Sequence, residues 1–193
     1  MRIVAGRFGG RAIAAPSTGA IRPTSDRLRE TIFNILAHGH GDPVTGARVL
    51  DLFAGTGAMG LEALSRGASF CLFVDQGAEA RSLMRSSIEK LGCAGETRIF
   101  RRDATKLGAV KPLAPFSLVF CDPPYGRGLA VPALASALAG GWIAPNATIV
   151  VEERADCAFT FPSGITETER RTQGDTMIAF AQASGGPPLA SHF

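Results

Sequence analysis

No apolar run in this 193-residue chain approaches the roughly 20 residues that a helix needs to cross a bilayer. A membrane partner is therefore not expected. The opening MRIVAGRFGG carries charge but no continuous apolar core, so a secretory leader is not expected either, and the cytoplasm is the expected compartment. Cysteine is sparse: Cys71, Cys93, Cys121 and Cys157 stand far apart, with no Cys-x-x-Cys pair. They read as reduced core thiols rather than a disulfide framework. Histidine does not supply a metal site, because His38 and His40 fall in an expected loop and His192 near the end; no metal is expected. Internal repeats are absent, and no shift of composition marks a second domain. What remains is 46% apolar and 19% charged, ordinary for a globular chain with a substantial core. One domain over residues 1–193 is expected, with an N-terminal extension over 1–40, a core over 41–183 and a loose tail over 184–193; a monomer is the default.

Lysine is also scarce, 3 against 17 arginines, and the positive charge is unevenly placed. Residues 1–40 hold Arg2, Arg7, Arg11, Arg22, Arg27 and Arg29 against Asp26 and Glu30, a net +4, whereas the rest of the chain carries 14 basic and 15 acidic groups. Arginine offers planar bidentate donors that suit phosphates, so the segment could meet a nucleic acid. A solvated arm in an arginine-rich composition explains the same excess, and charge alone does not separate the two.

Periodicity organises the remainder. Residues 1–15 read as a short hairpin, IVAGRF and RAIAA joined at Gly9-Gly10. Thr24 or Ser25 can cap a helix over 25–37, whose apolar stripe is Leu28, Ile32, Phe33, Ile35 and Leu36. From Arg48 onward short apolar strands (48–53, 69–74, 97–101, 116–121, 147–152) alternate with helices (58–66, 77–91, 130–139). That alternation implies parallel βαβ units, an α/β fold with both sheet faces covered. Near the end ITETERR and TMIAFAQ flank Thr172–Asp175 as an antiparallel pair, and SGGPPLASHF reads as loose.

Two motifs carry chemistry. In VLDLFAGTGAMGLEAL, Gly55, Gly57 and Gly60 form G-x-G-x-x-G between a strand and a helix, and Asp75 lies 20 residues beyond Gly55, as in a dinucleotide fingerprint. Asp51 separates the readings. A buried carboxylate at the end of that strand would repel a pyrophosphate but attract an amino-acid ammonium or, at longer range, a sulfonium, which favours S-adenosylmethionine. A glycine turn without a ligand is the plainer alternative; the glycines are expected to let the backbone turn tightly and approach the ligand. Asp75 can accept from ribose hydroxyls, while Asp103 and the Ala104 amide can meet the adenine edge. Each acid alone could equally cap a helix, yet Asp51, Asp75, Asp103 and Asp122 all follow strand-like runs, and open α/β sheets bind ligands beyond those carboxyl ends.

The second motif is Cys121-Asp122-Pro123-Pro124-Tyr125-Gly126. The prolines stop the strand and stiffen the loop. A stiff loop presents the Asp122 carboxylate and Pro123 carbonyl as two acceptors beside the Tyr125 ring, which suits a planar amine held for methylation. A structural Pro-Pro turn with a packed tyrosine is the competing reading.

DLFAGTG followed by CDPPYG resembles class I S-adenosylmethionine-dependent methyltransferases of the amino-methylating group. MRIVAGRFGGRAI, RPTSDRLRETIFNIL, DLFAGTGAMGLEALSRGA, FVD and CDPPYGRGL narrow the likeness, over nearly the whole chain, to the bacterial 16S rRNA guanine-N2 methyltransferases of the RsmD family. One departure is ERRTQGDT, which lacks the tyrosine of the family's E-x-R-x-Y-G-D-T, at Gln173. The resemblance implies a Rossmann-like, mostly parallel seven-stranded sheet with only the last-inserted strand reversed. It implies a cofactor site of Asp51, Phe53, Gly55, Gly57, Asp75, Gln76, Asp103 and Ala104, bordered by Asp122. Asp122, Pro123, Pro124 and Tyr125 would carry catalysis on a flipped guanine of 16S rRNA or of a small-subunit particle. Arg7, Arg11, Arg22, Thr24 and Arg27 would touch RNA. An adenine-N6 nucleic-acid methyltransferase would use the same loop, and a non-catalytic RNA-binding assembly factor could keep the same fold.

Overall fold

Strands that are apolar on every residue need cover on both faces, and the chain supplies it by alternating them with helices. The computed structural model describes residues 1–16 and 25–185. Its elements are α1 (Asp26–Gly39), β1 (Arg48–Leu52), α2 (Ala58–Ser65), β2 (Phe70–Val74), α3 (Ala78–Leu91), β3 (Thr97–Phe100), β4 (Phe116–Cys121), α4 (Ala130–Ala139), β5 (Ile143–Arg154), β6 (Ile165–Gln173) and β7 (Thr176–Ala183). They build one seven-stranded sheet in the order β3-β2-β1-β4-β5-β7-β6. The pairs among β1–β5 are parallel, and β7 runs antiparallel to both β5 and β6, so β7 alone is reversed. This is the class I methyltransferase sheet. Its order reverses between β1 and β4, the point where an open α/β sheet leaves a crevice at its carboxyl edge.

Alternate residues of each strand feed two cores. Val49, Cys71, Phe73, Leu118 and Phe120 pack on the face covered by α1, α2 and α3. Leu50, Leu52, Leu72, Val74 and Val119 pack on the opposite face with α4 and Trp142. Gly60 sets the approach of α2 to the sheet: a Cβ there would lie 2.4 Å from both Cys71 Sγ and Phe73 Cε1. Cys71, Cys93 and Cys121 are buried free thiols, as expected, and Cys157 is half-buried. Among the described residues no helix is long and apolar enough to cross a membrane, and no His/Cys/Asp/Glu group could hold a metal ion.

Two expectations need correction. The N-terminal hairpin is present but shorter than expected: one antiparallel bridge joins Arg2 and Ala12, with Ile3 donating to the Arg11 carbonyl (3.0 Å) and Ile13 to the Met1 carbonyl (3.2 Å), and Gly6–Phe8 forms a 3-10 turn before Gly9-Gly10. Past Ile3 the chain is held by α2. Val4 and Ala5 donate to the two carboxylate oxygens of Glu62 on α2, at 2.8 and 3.0 Å. Gly6 (φ +79°) then passes so close to α2 that a Cβ would lie 1.9 Å from the Ser65 carbonyl oxygen. β5 is also longer than its apolar run. It begins at Ile143 and shifts register between the Phe116 and Leu118 pairings, with Asn146 at φ +59° inside the irregular stretch.

Ser25 caps α1, its hydroxyl accepting from the Leu28 amide at 3.1 Å, while Thr24, the other candidate, lies outside the described residues with Arg22. Most of the 184–193 tail lies outside them as well. A buried charge cluster holds α1 and the N-terminal segment to the core. Arg29, fully buried, donates from Nε to Glu62 (3.3 Å), from Nη2 to Asp26 (2.9 Å), and to the Arg2 carbonyl; Arg66 Nε closes on Glu62 at 2.8 Å. Removing one member of such a cluster leaves its partner charged and dry, which is why this docking is rigid.

Candidate active site

The carboxyl ends of β1, β2, β4 and β5 open into one cleft of about 860 Å³. Its walls include Asp51, Phe53, Gly55, Asp75, Gln76 and Ala104 on one side and Asp122, Pro123, Pro124 and Tyr125 on the other. The two motifs, some 70 residues apart in sequence, share one cavity because β1 and β4 are neighbours with Leu52 opposite Cys121. The Asp122 amide reinforces the junction by donating to the Leu52 carbonyl at 3.4 Å.

On the glycine-loop side, acids are held by backbone amides. Asp51 is only 4% exposed, and its Oδ2 accepts from the Gly60 amide at 3.0 Å. Burial pushes its carboxyl up to about 8, the Gly60 bond pulling against that and the nearby Asp75 charge adding to it. A cation brought beside it would restore the carboxylate. Asp75 accepts from Gly55 through Oδ2 at 2.8 Å and from Gly77 through Oδ1 at 2.7 Å, so it pins the glycine loop to the end of β2 and keeps further lone pairs for a ligand. Phe53 sits at φ +59° between strand and loop, backbone strain of the kind that persists where surrounding structure over-determines it.

Gly57 and Asp103 do not line the cleft. Gly57 (φ +77°) faces the interior, where a Cβ would lie 2.9 Å from Met84 Cγ, so its close approach is to α3. With Gly60 against Cys71 and Phe73, two of the three motif glycines also serve helix–sheet packing. Asp103 Oδ1 caps the next turn, accepting from the Thr105 amide at 2.9 Å and hydroxyl at 2.7 Å. Those bonds, the hydroxyl first, hold its carboxyl below the usual range.

The other side is held by side chains from distant segments. The Tyr125 hydroxyl donates to Glu152 Oε1 at 2.6 Å and is also hydrogen-bonded by Thr176. Burial and the Glu152 carboxylate push the phenol well above its usual range, so it keeps its proton and acts as a donor. Glu152, Thr176, Gln173, Arg127, Ser25 and Leu28 all line the cleft and were not among the site residues expected from sequence. A signal existed for Glu152, because ATIVVEE is a further apolar run closed by acids; Gln173 and Thr176 arrive only through the β6–β7 hairpin.

Of the expected RNA-contacting arginines, Arg7, Arg11 and Arg27 lie outside this cleft's lining, and Arg22 lies outside the described residues. Arg7 pairs with Glu96 and stacks over Phe8, its guanidinium 4.5 Å from the ring centroid. Arg11 donates to the Lys90 and Leu91 carbonyls. Arg27 borders a separate hollow of about 330 Å³ with Arg2, Asp26 and Glu30.

Comparison with known proteins places this geometry. The family model described as conserved hypothetical protein 95 matches residues 1–182. The chain is 37% identical over 158 residues to ribosomal RNA small subunit methyltransferase D of Escherichia coli strain K12, covering 81% of this chain and 76% of that one. It is 32% identical over 176 residues to the Haemophilus influenzae protein of the same name, covering 90% and 89%. Among solved structures, yhhF from Escherichia coli superposes with a TM-score of 0.80 at 32% identity, covering 96% of this chain and 98% of that one.

Proposed function

The chain belongs to the family described as conserved hypothetical protein 95, the RsmD family, and from that premise we propose that it methylates the exocyclic N2 amine of one guanine in 16S rRNA, using S-adenosylmethionine. The observation that carries the reading is the single cleft in which the glycine-loop acids and Asp122-Pro123-Pro124-Tyr125 face one space. Relatives named for ribosomal RNA small subunit methylation supply the substrate class. The whole chain would act as one methyltransferase domain, as a monomer, on a small-subunit particle in the cytoplasm.

The residues fit the cofactor. Asp51, buried with a raised pKa, is built for a cationic amino-acid end; Asp75 has lone pairs for ribose hydroxyls, and half-buried Asp103 with the cleft-lining Ala104 offers an edge for adenine. Bound there, S-adenosylmethionine supplies an electrophilic methyl group. The protein's part is orientation. The Asp122 carboxylate and Pro123 carbonyl accept the two N–H bonds of the 2-amine, turning its nitrogen out of conjugation and stabilising the positive charge that develops as it attacks. Tyr125, fixed through Glu152, offers a ring for the flipped base to stack on. Asp122 then takes the surplus proton. Arg7, Arg11, Arg22, Thr24 and Arg27 would engage RNA beyond the cleft, Arg7 by exchanging its exposed pair with Glu96 for a phosphate.

The test is incubation with methyl-labelled S-adenosylmethionine and small-subunit particles lacking the modification, followed by digestion of the RNA and identification of the labelled nucleoside. Label in N2-methylguanosine is expected. Label in N6-methyladenosine would replace guanine by adenine, and no label despite demonstrated cofactor binding would refute the particle as substrate.

A further inference from the structure

We propose that Glu152 selects the base, its carboxylate accepting the ring N1–H of the guanine whose 2-amine is held by Asp122 and Pro123. The proposal rests on the N2 reading given above and deepens it. Three observations carry it. First, Glu152 is buried to 8% exposure yet lines the cleft together with Asp122 and Pro123. Second, the β4–β5 register sets Cys121 opposite Val151, so Asp122, just past the end of β4, comes beside Glu152 within β5. Third, the orientation of Glu152 is fixed: Tyr125 donates to Oε1 at 2.6 Å, and Thr176 holds the same phenol. A carboxylate carries about four lone-pair sites, so it can accept from more than one donor at once.

Its neighbour provides a contrast. Glu153 is 1% exposed and does not line the cleft, and its Oε1 accepts from the backbone amide of Arg154 at 3.0 Å. That acid has a backbone function. Glu152 instead orients an aromatic residue and faces the cavity, where a neutral amide or hydroxyl could anchor Tyr125 without burying a charge.

The chemistry discriminates between bases. The guanine edge that carries the 2-amine presents three N–H donors in a row, N1–H and the two of the amine. Asp122, the Pro123 carbonyl and Glu152 form a matching set of three acceptors. The adenine edge that carries the 6-amine presents two donors and the N1 lone pair, which would confront the Glu152 carboxylate. A buried acceptor facing an acceptor loses its hydrogen bond without regaining water, which makes rejection strong.

The test uses particles reconstituted with either guanine or 2-aminopurine at the methylated position, once that position is mapped. 2-Aminopurine keeps the reacting amine but lacks N1–H and the 6-oxygen. The full-length wild type and Glu152→Gln are compared on both, with cofactor affinity as the check of folding. The wild type should prefer guanine by about 10- to 100-fold, the range expected of one charged hydrogen bond. Glutamine can still accept from Tyr125 but can turn an N–H toward a ring lone pair, so the preference should fall at least tenfold. An equal loss on both substrates would mean that Glu152 only anchors Tyr125, and an unchanged preference would overturn the proposal equally. Glu152→Asp keeps the charge and should keep the preference at a reduced rate; should Glu152→Gln not fold, loss of preference in the aspartate variant overturns the assignment. Failure of the N2 reading is separate, because it would appear in the wild type as label in a nucleoside other than N2-methylguanosine.

Discussion

The two sides of the cleft are held in different ways. On the glycine-loop side, Asp51 and Asp75 are fixed by amides of Gly60, Gly55 and Gly77, all within about 20 residues of their partners. On the acceptor-loop side, Tyr125 is fixed by Glu152 and Thr176, 27 residues away and farther, across β5 and β7. The first arrangement is a property of the contiguous β1–α2–β2 unit and tolerates change elsewhere. The second exists only when the sheet has closed in the right register, so binding of cofactor and selection of target should be separable by mutation.

The largest expected effect falls on the acceptor side. Asp122→Ala removes an acceptor used as the amine attacks, and single-turnover methyl transfer should drop by about 10³-fold. Retained full activity would remove Asp122 from the mechanism. Next comes Asp51→Asn on the glycine-loop side. Asparagine can still accept from Gly60 but cannot carry charge, so cofactor affinity at pH 8 should fall about 10- to 100-fold. The wild type has its own signature: Asp51, protonated below about pH 8, must lose its proton to meet a cation, so affinity should rise between pH 6 and 8 and the rise should vanish in Asp51→Asn. Calorimetry in buffers of differing ionisation enthalpy should register proton release in the wild type alone.

A smaller effect sharpens the difference between the sides. Tyr125→Phe keeps the ring but loses the tie to Glu152, and transfer should slow by about tenfold or less with cofactor affinity unchanged. The smallest concerns Arg7. Its pair with Glu96 is exposed, so Arg7→Ala should leave the melting temperature nearly unchanged while lowering the salt dependence of RNA binding by about one phosphate's worth. An unaltered salt slope would assign Arg7 to the surface alone.

The same contrast explains what could be read from the sequence. The parallel sheet, the helices on both faces and the acids closing successive strands were legible because short continuous apolar runs, glycines and strand-ending carboxylates are local patterns. The short extent of the 1–15 hairpin was not, because the Glu62 carboxylate holds the Val4 and Ala5 amides from 57 or more residues away, past the Arg2–Ala12 bridge. Gly57 and Gly60 were visible as a motif, yet their contacts with Met84, Phe73 and Cys71 depend on helix–sheet packing. Glu152, Gln173 and Thr176 reach the cleft through the β5–β7 and β6–β7 pairings, which no short window of sequence encodes.

The measurement that tests the separation most directly is titration of S-adenosylmethionine into Asp51→Asn and Asp122→Ala side by side in a calorimeter. The account predicts that Asp122→Ala binds within about threefold of the wild type while Asp51→Asn loses at least tenfold. Equal losses in the two variants would contradict it, because the cleft would then have one undivided function on both sides.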